Sequence, residues 1–161
     1  MPTEQQWLAG LPTVYVGCGV LLTDPGGLVL LVKPARRSWW LLPGGSIAPG
    51  ETPERCAARE ARAGTGLTVT AGRLLVVQWQ APLPRHGALA RPAVEFLFDG
   101  GTVPADLPAA LPAEQSAASA LVPPDQAAAL LPTAAAARLR LGLQARHGGT
   151  TAYCTTDLGF G

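Results

Sequence analysis

Apolar positions along the chain fall in short runs separated by turn residues. Thr13–Thr23 carries Val14, Val16, Val20, Leu21 and Leu22, the length and branching of a strand. Asp24-Pro25-Gly26-Gly27 breaks that run as a turn, and Leu28–Lys33 returns, so the two predict a hairpin. Pro34–Trp40 reads as a loop. Leu67–Thr70 and Arg73–Gln80 read as strands. In Ala93–Asp99 the alternation is regular, with Val94, Phe96 and Phe98 on one face and Glu95, Leu97 and Asp99 on the other. Ala81–Pro92 is a polar, proline-broken loop carrying Arg85, His86 and Arg91. Gly100–Ala120, rich in Pro and Ala, is expected to be irregular, with a short strand after it at Leu121-Val122. Pro124–Leu131 predicts a short helix capped by Asp125, and Thr133–Arg146 a longer one ended by Gly148-Gly149. Residues 1–12 are expected to be a loose lead-in, and 150–161 an edge strand or a loose tail. The mixed order of strands and helices predicts one α/β domain over residues 1–161.

Between Leu41 and Leu67 the pattern changes character. Gly44-Gly45 and Pro49-Gly50 allow a tight loop with backbone close to a ligand. Thr52 suits an N-cap, Pro53 the first helical position and Glu54 the first turn. The helix then runs through Cys56–Ala63. Gly64 weakens its last turn by about 1 kcal/mol relative to Ala, and Gly66 is the expected stop.

Composition narrows the function. Apolar residues make up 48% of the chain and charged ones 14%, enough for a real core under a weakly charged exterior. The net charge of +1 gives no electrostatic case for nucleic acid or for an acidic membrane surface. The longest apolar runs are strand-length, far short of a membrane span. The first residues, Met-Pro-Thr-Glu-Gln-Gln-Trp, lack the basic and apolar blocks of a secretory signal, so a cytoplasmic location is expected. Three cysteines at wide spacing, Cys18, Cys56 and Cys154, read as free thiols. Lys33 is the sole lysine against eleven arginines, the bias of GC-rich coding and of an actinobacterial source.

Residues 45–67 carry the chemistry. Gly45, Glu51, Arg59, Glu60, Gly66 and Leu67 fall on the spacing Gly-x5-Glu-x7-Arg-Glu-U-x-Glu-Glu-x-Gly-U, where U is apolar. The segment therefore resembles the signature of the Nudix hydrolase superfamily. The resemblance implies an α/β/α sandwich with a mixed central sheet. It also implies hydrolysis of a diphosphate with Mg²⁺ or Mn²⁺, hard cations held by carboxylate oxygens. Positions i, i+3 and i+4 share a helix face, so the family's acids would lie at 60, 63 and 64. Here Glu60 is followed by Ala63 and Gly64. Ala48 stands at another position where the family often carries Glu. The chain also resembles, along most of its length, a common type of actinobacterial Nudix protein, in which the segment before Val122-Pro-Pro-Asp125 is more acidic.

From that resemblance Glu60, Glu51 and Arg59 are the candidate catalytic set, the last two as an ion pair bracing loop on helix. Glu60, the Gly45 carbonyl and Glu114 are the candidate metal ligands, with Glu95 as a second source of acid. Gly44, Gly45, Trp40, Arg37, Trp79, Arg85 and Glu95 are the candidate substrate contacts. The expected partner is a small-molecule ligand, and a homodimer stays open as the assembly. Three readings follow: a hydrolase of weakened or altered Mg²⁺ dependence; a binding or regulatory protein without turnover; a scaffold recruited to metal-free chemistry in a secondary-metabolite pathway.

Overall fold

The computed structural model describes residues 1–82, 87, 90–107 and 116–156. The hairpin forms as expected from β1 (Tyr15–Thr23) and β2 (Val29–Pro34). Its turn is held by Asp24, whose Oδ1 accepts the Leu28 N–H at 2.7 Å. A short strand β3 (Gly44–Ser46) pairs antiparallel with the first half of β1. After helix α2 (Pro53–Thr65) come β4 (Leu74–Gln80), β5 (Ala93–Thr102) and β6 (Ser116–Val122). Helices α3 (Pro124–Leu130) and α4 (Thr133–Gly148) lead to β7 (Ala152–Thr156). The sheet order is β6-β2-β1-β5-β4-β7, with β3 attached to β1. The β1–β5 and β4–β7 pairs are parallel and the others antiparallel, so the sheet is mixed.

Alternation along the central strands feeds two cores. Cys18, Val20, Leu22 and Phe98 pack with Cys56, Ala57 and Ala61 of α2 on one face. Leu21, Leu97, Leu75 and Val76 pack with Ala136, Leu139 and other residues of α3 and α4 on the other. A strand covered on both faces needs apolar residues in succession, which explains the run Val20-Leu21-Leu22. Helix α4 comes close to the sheet at Gly142, where an added methyl would meet Leu97 at 2.7 Å. The result is an α/β/α sandwich. No helix among the described residues is long and apolar enough to cross a membrane.

Several local expectations differ from the structure. Leu67–Thr70 is irregular: Leu67 and Val69 pack against the α2-side core, but their backbone joins no strand among the described residues. Apolar content there serves burial without a ladder. The lead-in contains a short helix α1 (Glu4–Ala9), set by a capping box in which Thr3 and Gln6 satisfy each other's N–H groups. It buries no residue. Gly44–Ser46 is strand rather than loop, because β1 presents an open edge beside it. β5 runs on to Thr102 and β6 starts at Ser116, so both ends of the Pro/Ala-rich stretch are pulled into the sheet. Asp125 lies in the first turn of α3, with Pro123 at the cap, so it does not cap that helix. The tail contributes β7 at the sheet edge.

Candidate functional site

The loop between β3 and α2 is tied down by one guanidinium. Arg59 Nε donates to Glu51 Oε1 at 2.7 Å and its Nη2 to Glu51 Oε2 at 2.9 Å. Nη2 also donates to the Ser46 carbonyl at 3.0 Å, and Nη1 reaches Glu60 Oε1. Glu51 Oε2 accepts the Ala48 N–H at 2.9 Å, closing the loop on itself. The Arg59 hydrogen bond, with the Ala48 N–H behind it, pulls the Glu51 carboxyl down to about 2. Both carboxylates push Arg59 further up. The expected brace is therefore present, and Arg59 spans Glu51 and Glu60 together.

Helix α2 starts where Thr52 accepts the Arg55 N–H at 3.4 Å with Pro53 next in line. It ends at Gly66, whose φ of 74° is the left-handed stop that glycine tolerates. This span aims Glu60 back at β3. Its carboxylate lies so close to Gly45 that a methyl group there would overlap it. The Gly45 carbonyl accepts the Cys56 thiol at 3.8 Å. Cys18 and Cys56 meet beneath the loop, and burial pushes both thiols up, so they stay protonated.

Beside this loop, on the α4 side of the sheet, lies a cavity of about 250 Å³. Its floor is the backbone of Gly17, Gly19 and Gly44. Glu95, Leu97 and Arg138 wall it, and Gly45 and Ser46 join it to the edge where Glu60 sits. Arg37, whose guanidinium stands 5.4 Å over the Trp39 ring, is at its rim. Burial raises the Glu95 carboxyl against the opposing pull of Arg138, and burial lowers Arg138 against the pull of Glu95. Arg138 also donates to Gln78 Oε1, and Gln78 Nε2 donates to the Ala134 carbonyl at 2.9 Å.

Of the residues singled out from sequence, Glu51, Arg59 and Glu60 come together, and Gly44, Gly45, Arg37 and Glu95 line the adjoining cavity. Trp40 is half-buried and packs on the α3/α4 core. Trp79 stands in register with Val94, one step from Gln78 and Glu95, and so points to the sheet face away from the cavity. Arg85, His86 and Glu114 lie outside the described residues. Arg138, Gln78, Gly17 and Gly19 were not singled out. Two glycines at alternate positions of a predicted strand, and a glutamine inside an apolar run, are the signals that mark them.

For a metal ion the donor set is small. Glu60 and the Gly45 carbonyl offer oxygens, while Ala63 and Gly64, the next positions on that helix face, offer none. Among the described residues no group of three or more His, Cys, Asp or Glu gathers. These oxygens fit one hydrated Mg²⁺ that arrives already chelated by a diphosphate; they do not fit a cluster of ions.

Residues 14–142 match the family model of the NUDIX domain. In structure the chain is similar to a MutT protein from Methanosarcina mazei Go1, at 20% identity, 86% and 96% coverage of the two chains and a TM-score of 0.65. It is similar to an ADP-ribose pyrophosphatase from Streptococcus suis at 18% identity, 89% and 100% coverage and a TM-score of 0.61. It also resembles a C. elegans Ap4A hydrolase at 17% identity, 84% and 99% coverage and a TM-score of 0.63. At these identities the likeness is one of fold. The comparison with curated proteins gave no match. The family match spans most of the chain and includes the Gly45–Leu67 loop and helix, so this protein belongs to the NUDIX domain family.

Proposed function

We propose that the chain binds a diphosphate-containing small molecule and hydrolyses it slowly with Mg²⁺. The phosphates lie along Gly44-Gly45-Ser46 beside Glu60, and the linked group enters the cavity. The observation that carries this reading is continuity: Gly45, against which the Glu60 carboxylate is held, is itself part of the cavity lining. Proteins of similar fold are named an ADP-ribose pyrophosphatase and an Ap4A hydrolase, and both names point to phosphoanhydride compounds. Glu60 and the Gly45 carbonyl would hold Mg²⁺, which when bound neutralises phosphate oxygens and lowers the pKa of water. Arg59 orients Glu60, and the Gly-rich edge lets backbone approach the phosphates. Turnover is slow because one carboxylate does the work that three share elsewhere in the family.

The test is a panel of nucleoside diphosphate derivatives assayed with Mg²⁺ and Mn²⁺. Product should form with the metal and disappear in Glu60→Gln; unchanged turnover in that variant overturns the mechanism. One contact favours the second reading, binding without hydrolysis: Glu60 is already paired with Arg59. In that case ligand raises the melting temperature and no product appears.

A further inference from the structure

We propose that α1 is an exchange arm. In a symmetric dimer, Trp7, Leu8 and Leu11 of one copy lie on the open sheet face made by Val77, Trp79 and Tyr153 of a second copy, and the second copy's arm returns the contact.

The arm is the first argument. Helix α1 is six residues long and buries no residue. A helix that short is unstable by itself in water and is held in proteins by packing its apolar side. Its capping box supplies a start, yet its apolar side chains find nothing in their own chain to pack on: Trp7 is 58% exposed and Leu8 53%. Leu11, also exposed, follows with its N–H turned back on the Leu8 carbonyl at 3.2 Å. The root of the arm is fixed, since Arg91 Nε donates to Thr13 Oγ1 at 2.8 Å and the Tyr15 N–H to the Pro92 carbonyl at 2.9 Å.

The sheet supplies the second argument. Val77 and Trp79 flank Gln78, which is bonded to α4, so they point to the opposite face. On β7, Tyr153 is in register with Val77 and Thr155 with Trp79, which sets Tyr153 beside both. Helix α2 covers that face over β1 and β3 rather than over β4 and β7. Trp79 is accordingly 39% exposed and Tyr153 69%, and Val77 joins neither core.

Size and charge select the occupant. Each patch alone presents roughly 300 Å² of surface, too little for a stable pair. Exchange places both patches of each copy in the interface, roughly 600 Å² a side before any rim, against about 800 Å² a side in stable dimers. A membrane surface is a poor partner, because no basic residue precedes Lys33. Two apolar surfaces of one chain, each without a partner in it, satisfy each other by two-fold exchange, which closes at two copies.

The experiment is sedimentation equilibrium of the full chain, of the double variant Trp7→Glu with Leu8→Glu, of Tyr153→Lys, and of an equimolar mixture of the two variants, with a thermal melt of each. The full chain should run at twice the chain mass, and each variant should raise the dissociation constant about tenfold or more. The mixture should associate more tightly than either variant alone. Its mixed dimer keeps one native contact of arm on face and sets the introduced acids against the introduced lysine. A monomeric full chain, a dimer that either variant leaves unchanged, or a mixture no tighter than its parts overturns the proposal. If Tyr153→Lys does not fold, the arm variant, which alters no buried residue, decides alone.

Discussion

Arg59 is where loop, helix and the candidate catalytic carboxylate meet. Because its hydrogen bonds pull Glu51 down to about 2 from an ordinary value of 4.5, the unfolded chain takes up that proton at higher pH than the folded one. The Glu51 contribution to stability is thus complete above about pH 4.5 and is lost as pH falls through about 2. Urea unfolding of the wild type and Glu51→Gln should differ at neutral pH, with the gap closing toward about pH 2. A constant gap would show that Glu51 acts by packing alone. The second prediction concerns Ala63 and Gly64. If metal load limits turnover, Ala63→Glu combined with Gly64→Glu should raise Mg²⁺-dependent hydrolysis by roughly 10–100-fold, the range that metal-site partners carry. No gain in steady-state rate would place the limit elsewhere. The brace follows from the family resemblance of the segment. That Arg59 also engages Glu60 was not readable, because spacing gives no side-chain torsions.

Helix α2 owes its start to Thr52, so Thr52→Ala should lower stability by about 1 kcal/mol in denaturant titration. Helix α4 depends on closeness rather than capping. Gly142→Leu would drive a side chain into Leu97, and the expected loss is about 1–3 kcal/mol by thermal melting. An unchanged melting point would mean that the helix shifts freely on the sheet. At this scale the sequence was read well where local chemistry decides: the β1–β2 turn, the Thr52-Pro53 start and the Gly66 stop. It was read less well where tertiary partners decide. Gly44–Ser46 becomes a strand through the open edge of β1, and Leu67–Thr70 fails to become one despite its composition. Propensity describes a segment alone, and pairing depends on what lies beside it.

The mixed sheet was anticipated from the box resemblance, but strand order was not legible, since nothing local announces that β1 sits against β5 or β4 against β7. Strand β7 is an addition at one sheet edge, fastened by Thr151 Oγ1 donating to the Leu74 carbonyl at 2.7 Å and by Arg73 reaching the Thr150 carbonyl. Removing residues 150–161 would uncover β4, whose apolar run Leu74–Val77 makes an adhesive edge. The shortened chain should melt lower and scatter more light on heating; a soluble chain with the original melting point would show that β7 is dispensable. The register of Gly17 with Glu95 has a different consequence. The cavity floor comes from a strand near the start of the matched domain and its wall from one far along the chain, so neither half can recognise ligand by itself. A small molecule that bound this cavity would therefore bind only the folded chain and would raise its melting temperature.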